Sequence, residues 1–322
     1  MQMNEAPPPP AHAVLEAAAR IAPHAAVTPV LRSQTLDALA GAQLAFKAEH
    51  LQRSGAFKFR GACNAVWSLP AEQAPAGVVT HSSGNHGAAL ALAAVTRGIA
   101  CHVVVPEGAV AAKLANIARH GATLWQCAPT IAAREAMCAQ VQADTGATLV
   151  HPYTDAAMIA GQGTAALELL QAEGPFDVLV VPVGGGGLAA GTALALQQVS
   201  PQTRLVLAEP AGAADTARSL QAGERRIDFV PDTVCDGLRG TLGAPNFQVL
   251  QAAGTEVIVV DDAATVAAMR LLWQVLKQTV EPSSAIALAA VLAQPQRFAG
   301  LRVGLVLSGG NVDIDALPWA AA

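Results

Sequence analysis

The sequence predicts an α/β protein of two domains, each a twisted parallel sheet covered by helices. Three observations carry that expectation. Short apolar runs rich in valine and leucine alternate with alanine-rich runs of helical length, the pattern of strand–helix–strand units. The 322 residues suit two domains or one large one, and they can bury a core without disulfide or metal staples. Apolar residues make up 52% of the chain and aromatic ones only 4%, so helices packed closely through small side chains are expected.

Residues 1–11 read as a disordered tail containing the run Pro7–Pro10. GVVT (77–80), CHVVVP (101–106), TLWQC (123–127) and ATLVH (147–151) read as strands, with helices near 86–97, 109–119 and 129–144 between them. DVLVVPV (177–183), RLVLAEP (204–210), EVIVV (256–260) and RVGLVLS (302–308) continue the pattern. The first group is expected as a small domain at 78–151. The second, completed by the N-terminal segment, is expected as a large discontinuous domain of 1–77 and 152–322, with a cleft between the two.

Charged residues are only 13% and the net charge is −5, which argues against a nucleic-acid binder and against attraction to an anionic membrane. The uncharged stretch 178–196 has membrane-like hydropathy, but a proline and four consecutive glycines break it into strand, loop and helix. Five cysteines without a C-x-x-C pair suit reduced thiols in a cytoplasmic protein. The N-terminus has no basic start and no apolar core, so a secretory peptide is not expected.

Gly184, Gly185, Gly186 and Gly187 follow the strand 177–183 and open a helix near Leu188. Bare backbone N–H groups at a helix N-terminus bind phosphate without a basic side chain. The same loop also fits a dinucleotide fingerprint, Gly185-x-Gly187-x-x-Ala190 with Glu209 about 20 residues on. That leaves an NAD-dependent dehydrogenase as a rival reading of this loop alone.

Only four lysines are present: Lys47, Lys58, Lys113 and Lys277. Lys47, Lys113 and Lys277 are read as solvated charges. Lys58 sits between Phe57 and Phe59 among small residues, where desolvation favours the neutral amine. A neutral amine can attack a carbonyl and hold it as a Schiff base. His81-Ser82-Ser83-Gly84-Asn85-His86-Gly87 gathers hydroxyls, an amide and backbone donors at another helix start, a natural carboxylate site.

Six segments in order, SGAFKFRGA, HSSGNHG, HPYTDAAMIAGQGTAALE, VGGGGLAAG, EPSSA and LSGGNVD, make the chain resemble the fold-type II pyridoxal-phosphate (PLP) enzymes, in the serine/threonine dehydratase and serine racemase group. The likeness runs from about Thr28 to Asp313 and implies the tryptophan synthase β-like fold. It implies that Lys58 carries the cofactor, with Phe57 beside its ring, Asn85 on its 3′-oxygen, the four glycines around its phosphate and Ser308 facing the pyridine nitrogen. A neutral hydroxyl there, in place of a carboxylate, favours elimination of a β-leaving group. Ser82, Ser83, Asn85 and His86 would bind the substrate, and Lys58 would remove the Cα proton. Threonine, serine or a related 3-hydroxyamino acid would yield a 2-oxo acid and ammonia.

Ser83 matches the second acid/base of the racemase branch, so serine racemisation stays open, as does 3-hydroxyaspartate as substrate. The resemblance also implies a divalent cation (Mg²⁺, Mn²⁺ or Ca²⁺) on Glu209, Asp215 and the carbonyl of Ala213. Acids at a helix start are the plain alternative for that pair. The segment Glu281-Pro282-Ser283-Ser284 has serine where many relatives have glycine, and Tyr153 stands at a variable position. A homodimer is expected, and no C-terminal regulatory domain. A non-catalytic PLP-binding protein is the remaining alternative.

Overall fold

The computed structural model describes residues 7–319 and contains two sheets. The larger has six strands: β1 (Val30–Leu31), β2 (Gln43–Ala48), β7 (Val178–Pro182), β8 (Arg204–Pro210), β9 (Glu256–Val260) and β10 (Arg302–Leu307), in the spatial order β1-β2-β10-β7-β8-β9. The smaller has β3 (Val78–His81), β4 (Cys101–Pro106), β5 (Thr123–Cys127) and β6 (Thr148–Leu149), in the order β5-β4-β3-β6. Every pairing is parallel except the short β1 against β2. The mixed α/β architecture with parallel sheets is therefore as the sequence predicts. The helices Asn85–Arg97, Ala111–Arg119 and Ile131–Thr145 start within two residues of the expected positions.

Strand side chains alternate between two core layers. Val178 and Val180 pack on the side of the helix Pro282–Ala293, while Leu179 and Val181 face the helices Ala156–Glu173 and Gly187–Val199. The strands read as continuous apolar runs because both faces are covered. The last two helices meet backbone to backbone: a Cβ on Gly163 would lie 2.4 Å from the Gly191 carbonyl oxygen. Small residues permit that approach, which explains the low aromatic content. No helix of the described residues is long and apolar enough to cross a membrane.

Two expectations need correction. Pro7–Ala11 are not a loose tail, because the chain runs straight into the helix Ala13–Ile21. The Pro10 carbonyl accepts from the Ala13 N–H at 3.0 Å, and Ala11 packs against the core beside buried Val14. Residues 1–6 of that expected tail lie outside the described residues. Lys47 is not a surface charge. It is 1% exposed, and its Nζ donates to Glu168 at 2.6 Å and to the Thr28 carbonyl at 2.7 Å.

Lys47 belongs to a buried cluster centred on Arg60, which is fully buried. Arg60 donates to both Glu49 oxygens at 2.7 and 2.8 Å and to both Glu168 oxygens at 2.7 Å. Two acids balance two bases, and bidentate geometry offsets much of the desolvation cost. The cluster ties the end of β2, the helix Lys58–Ser68 and the helix Ala156–Glu173 together. Arg60→Met would leave fully buried Glu49 and partly buried Glu168 with only Lys47 to balance them. The expected cost is about 3–5 kcal/mol, read as a lowered urea midpoint with an unchanged slope.

Candidate active site

Lys58 opens the helix Lys58–Ser68, and the residues before it are strapped to the end of β10. Ala56 bridges Gly309, the Phe57 N–H donates to the Ser308 carbonyl at 2.9 Å, and the Gly310 N–H donates to the Gly55 carbonyl at 2.9 Å. This pairing brings lysine and serine together from opposite ends of the chain. The Lys58 amine donates to the Pro152 carbonyl at 2.8 Å and lies 5.0 Å from the Phe57 ring centre. No carboxylate of the described residues pairs with it, and burial lowers its pKa from 10.5 to about 7. Ser308 is buried, its hydroxyl 3.5 Å from the Ser283 carbonyl.

The glycine loop connects β7 to the helix Gly187–Val199, with Gly186 in the left-handed region at φ 90°. Gly185 lies under the Tyr153 ring: a Cβ there would be 2.5 Å from the ring carbons. Fully buried Asn246 staples the loop, donating to the carbonyls of Gly185 at 2.6 Å and Tyr153 at 2.9 Å. Among the described residues, the N–H groups of Gly184, Gly185, Gly186 and Gly187 donate to no protein acceptor. They remain available at a helix N-terminus, where a phosphate is stabilised.

The asparagine loop leads from β3 into the helix Asn85–Arg97. The Asn85 amide donates to the two Glu281 oxygens at 2.9 and 3.1 Å, and its Oδ1 accepts from Asn311 Nδ2 at 2.9 Å. Ser82 Oγ accepts from the Gly84 N–H at 3.3 Å, and Ser83 is half-buried without a protein partner for its hydroxyl among the described residues. His86 departs from expectation. It is 3% exposed, with Nε2 against the Val150 carbonyl at 3.2 Å and Thr80 Oγ1 at 3.0 Å beside the small sheet, while its Nδ1 has no partner among the described residues. Burial, with the Lys58 charge as a second cause, holds it well below the usual histidine range.

Glu281, His151, Gln162 and Asn246 were missed by sequence reasoning. The signals were present in part, since Glu281 opens EPSSA and His151 opens HPYTD. His151 Nδ1 accepts from the Thr154 N–H at 3.2 Å, and its ring stands edge-on to Tyr153 at 4.6 Å. Burial, then the nearby His81 and Lys58, lowers its pKa to about 3, so it is neutral. Gln162 donates to the same Pro152 carbonyl as Lys58, at 3.3 Å. The extra hydroxyls of EPSSA do not share one fate. Ser283 Oγ accepts from the Gly237 N–H at 2.9 Å, and Ser284 Oγ is buried without a protein partner among the described residues.

Glu209 and Asp215 are brought together, and both are fully buried. Glu209 accepts from the Thr216 and Ala217 N–H groups, each at 2.8 Å, and Asp215 Oδ2 from the Leu242 N–H at 2.8 Å. Asp215 Oδ1 has no partner among the described residues. Burial raises Glu209 to about 7, with the Asp215 charge adding to it, and burial raises Asp215 to about 6. The unpartnered Asp215 oxygen beside a second buried carboxylate fits a cation. No three His, Cys, Asp or Glu side chains gather among the described residues, so carbonyl and water oxygens would complete the ligand set.

A buried amine without an ion pair, a cradle of bare N–H groups and a buried hydroxyl beside them fit a cofactor with an aldehyde, a phosphate and a heteroaromatic nitrogen. The chain belongs to the pyridoxal-phosphate dependent enzymes, whose family model matches residues 21–309. It is an enzyme of that family, with PLP as cofactor, and its architecture is that of fold type II. Among relatives, it is 47% identical to a beta-hydroxyaspartate dehydratase of Paracoccus denitrificans, covering 95% of this chain and 97% of that one. It is also 47% identical to a serine racemase of Arabidopsis thaliana, covering 94% and 93%. The maize serine racemase structure superposes with a TM-score of 0.92 at 44% identity, covering 95% and 94%. The structure of a bacterial threonine deaminase gives 0.90 at 40%, covering 96% and 100%. The NAD reading of the glycine loop falls with this assignment.

Only the neutral amine captures an aldehyde. With a pKa near 7, its neutral fraction falls about tenfold per pH unit below that value and levels off above about 8. Cofactor uptake by the apoprotein, followed by visible absorbance, should show this profile. A profile displaced to about pH 10 would indicate an unperturbed lysine.

Proposed function

We propose that this protein is an ammonia-lyase that eliminates water from a 3-hydroxyamino acid, giving a 2-oxo acid and ammonia. The observation that carries this reading is the Lys58 amine, held by a carbonyl alone with its pKa lowered to about 7 by burial, beside a hydroxyl in place of a carboxylate. Bound PLP supplies the electron-accepting ring that makes the Cα proton of an attached amino acid acidic. In this reading, Lys58 would hold the cofactor, and its Nζ would be the group that takes that proton. A base with a pKa near the operating pH is well matched to the task.

Gly184, Gly185, Gly186 and Gly187 hold the phosphate, and Phe57 packs beside the ring. The Ser308 hydroxyl faces the ring nitrogen without delivering a full charge. Ser82, Ser83 and the free N–H groups before the helix Asn85–Arg97 bind the substrate carboxylate. Asn85 keeps one N–H for the cofactor's 3′-oxygen after serving Glu281. Water leaves the substrate and water is consumed in releasing ammonia, so the net reaction balances. L-Threonine, L-serine and 3-hydroxyaspartate all satisfy this chemistry, and similarity to a hydroxyaspartate dehydratase supports the last. The reading carries with it a homodimer in the cytoplasm. All five cysteines are free and buried, which suits a reducing compartment.

A second reading, serine racemisation, is favoured by the unpartnered Ser83 hydroxyl, which would return a proton from the face opposite Lys58. A panel of hydroxyamino acids with 2-oxo acid detection and chiral analysis separates the readings. Lys58→Ala should lose at least about 10³-fold in turnover, together with cofactor absorbance. Ser83→Ala should abolish D-serine while sparing elimination, and D-serine absent from the unaltered protein removes the racemase reading.

We also read Glu209, Asp215 and the Ala213 carbonyl as holding Mg²⁺, Mn²⁺ or Ca²⁺. Adding the cation should raise the melting temperature by several degrees and chelation should lower it. The pair Glu209→Gln and Asp215→Asn should respond to neither.

A further inference from the structure

Glu281 is a buried carboxylate at the junction of the two sheets, in a role that none of the chemistry above requires. It lies 5% exposed at the start of the helix Pro282–Ala293. Its own N–H donates to the Gly309 carbonyl at 3.1 Å, which fixes it against the turn Ser308–Asn311. From the opposite side it receives Asn85 Nδ2 on both oxygens. Asn311 completes the circuit, donating to Asn85 Oδ1 at 2.9 Å and to the Ser54 carbonyl at 2.8 Å.

We propose that Glu281 is the positioning residue of the asparagine loop: its carboxylate grips the Asn85 amide from the side of the large sheet and docks the helix Asn85–Arg97 against the turn Ser308–Asn311. An ionised carboxylate only accepts hydrogen bonds. It therefore admits one orientation of the asparagine amide, with Nδ2 toward Glu281 and Oδ1 toward Asn311. That orientation leaves the second Nδ2 proton for the cofactor. A glutamine at 281, with one acceptor and one donor, would tolerate either orientation. The catalytic consequence rests on the PLP reading of the site, whereas the docking does not.

The other groups around Glu281 set its charge. Asn85 faces it from the helix Asn85–Arg97, and the Asn311 backbone N–H faces it from the turn after β10. The Asp236 charge raises its proton affinity and the Lys113 charge lowers it; these two pair with each other across the same junction. Burial outweighs them and lifts its pKa to about 7. As pH falls through about 7, the group gains a proton and becomes donor as well as acceptor, and the orientation is no longer enforced.

The test is hydrogen exchange on the full chain, with and without PLP, at about pH 8 and pH 6, on either side of that titration and corrected for intrinsic rates. At the higher pH, Glu281→Ala should exchange residues 82–90 at least tenfold faster than the unaltered protein, with the helix Gly187–Val199 unchanged. Glu281→Gln should fall between the two and lose the pH difference that the unaltered protein shows. Rates within twofold of the unaltered protein for 82–90 in Glu281→Ala overturn the proposal. Should that variant fail to fold, an undiminished pH difference in Glu281→Gln overturns it instead. A chain that takes up no PLP yet keeps the expected exchange pattern keeps the docking and removes the cofactor reading.

Discussion

The buried cluster of Arg60, Glu49, Glu168 and Lys47 is the constraint from which the site follows. It joins a strand end and two helices through charge-assisted hydrogen bonds, fully buried at Arg60 and Glu49 and reaching the surface only at Glu168. Lys58 stands two residues before Arg60 on the same helix, so the cluster fixes where that helix begins and where the amine points. It also separates charges. The acids of this region are engaged by Arg60 and Lys47, leaving Lys58 with a carbonyl and an aromatic ring. One strongly paired cation and one unpaired, easily neutralised cation thus sit a few residues apart. The two project from different sides of the helix, and only the first has carboxylate partners.

The same logic of held backbone and spared donors recurs at the glycine loop and the lysine segment. Asn246 and Tyr153 hold the glycine loop through its carbonyl and its open face, so its N–H groups stay uncommitted. The pairing of Ala56 with Gly309 holds the lysine segment without using the Ser308 hydroxyl as a strut. The glycine loop and the lysine segment are positioned largely through main-chain contacts, whereas Asn85 is held through its own amide.

How much of this was legible in the sequence depends on the range of the interaction. The strands and their helices were readable because valine runs and alanine runs carry a local period. Gly184–Gly187 and Lys58 were readable because their chemistry is unusual for their surroundings. Lys47 reads as a surface charge, since nothing near it in sequence reveals Glu168 on a distant helix. His86 adjoins Asn85 and so reads as a substrate group, yet helical geometry turns successive side chains about 100° apart, and its ring points into the core beside the small sheet. Pro7–Ala11 resemble a tail by composition, while their order comes from the helix that follows. Glu281 matters through Asn85 and Asn311, which are not its neighbours along the chain, so no window around residue 281 could reveal its role.

The position of β10 has a consequence for how the chain is made. It lies in the middle of the large sheet, between β2 and β7, although it is the last strand in the sequence. Until it emerges from the ribosome, β2 has only the two-residue β1 for a neighbour, and Ser54–Phe57 have nothing to pair with. A nascent chain therefore exposes the apolar edge of β2, and later that of β7 as well, until β10 is made. Such non-local closure is slow and open to aggregation. Loss of β10 by truncation would therefore open the large sheet at its centre rather than trim its edge.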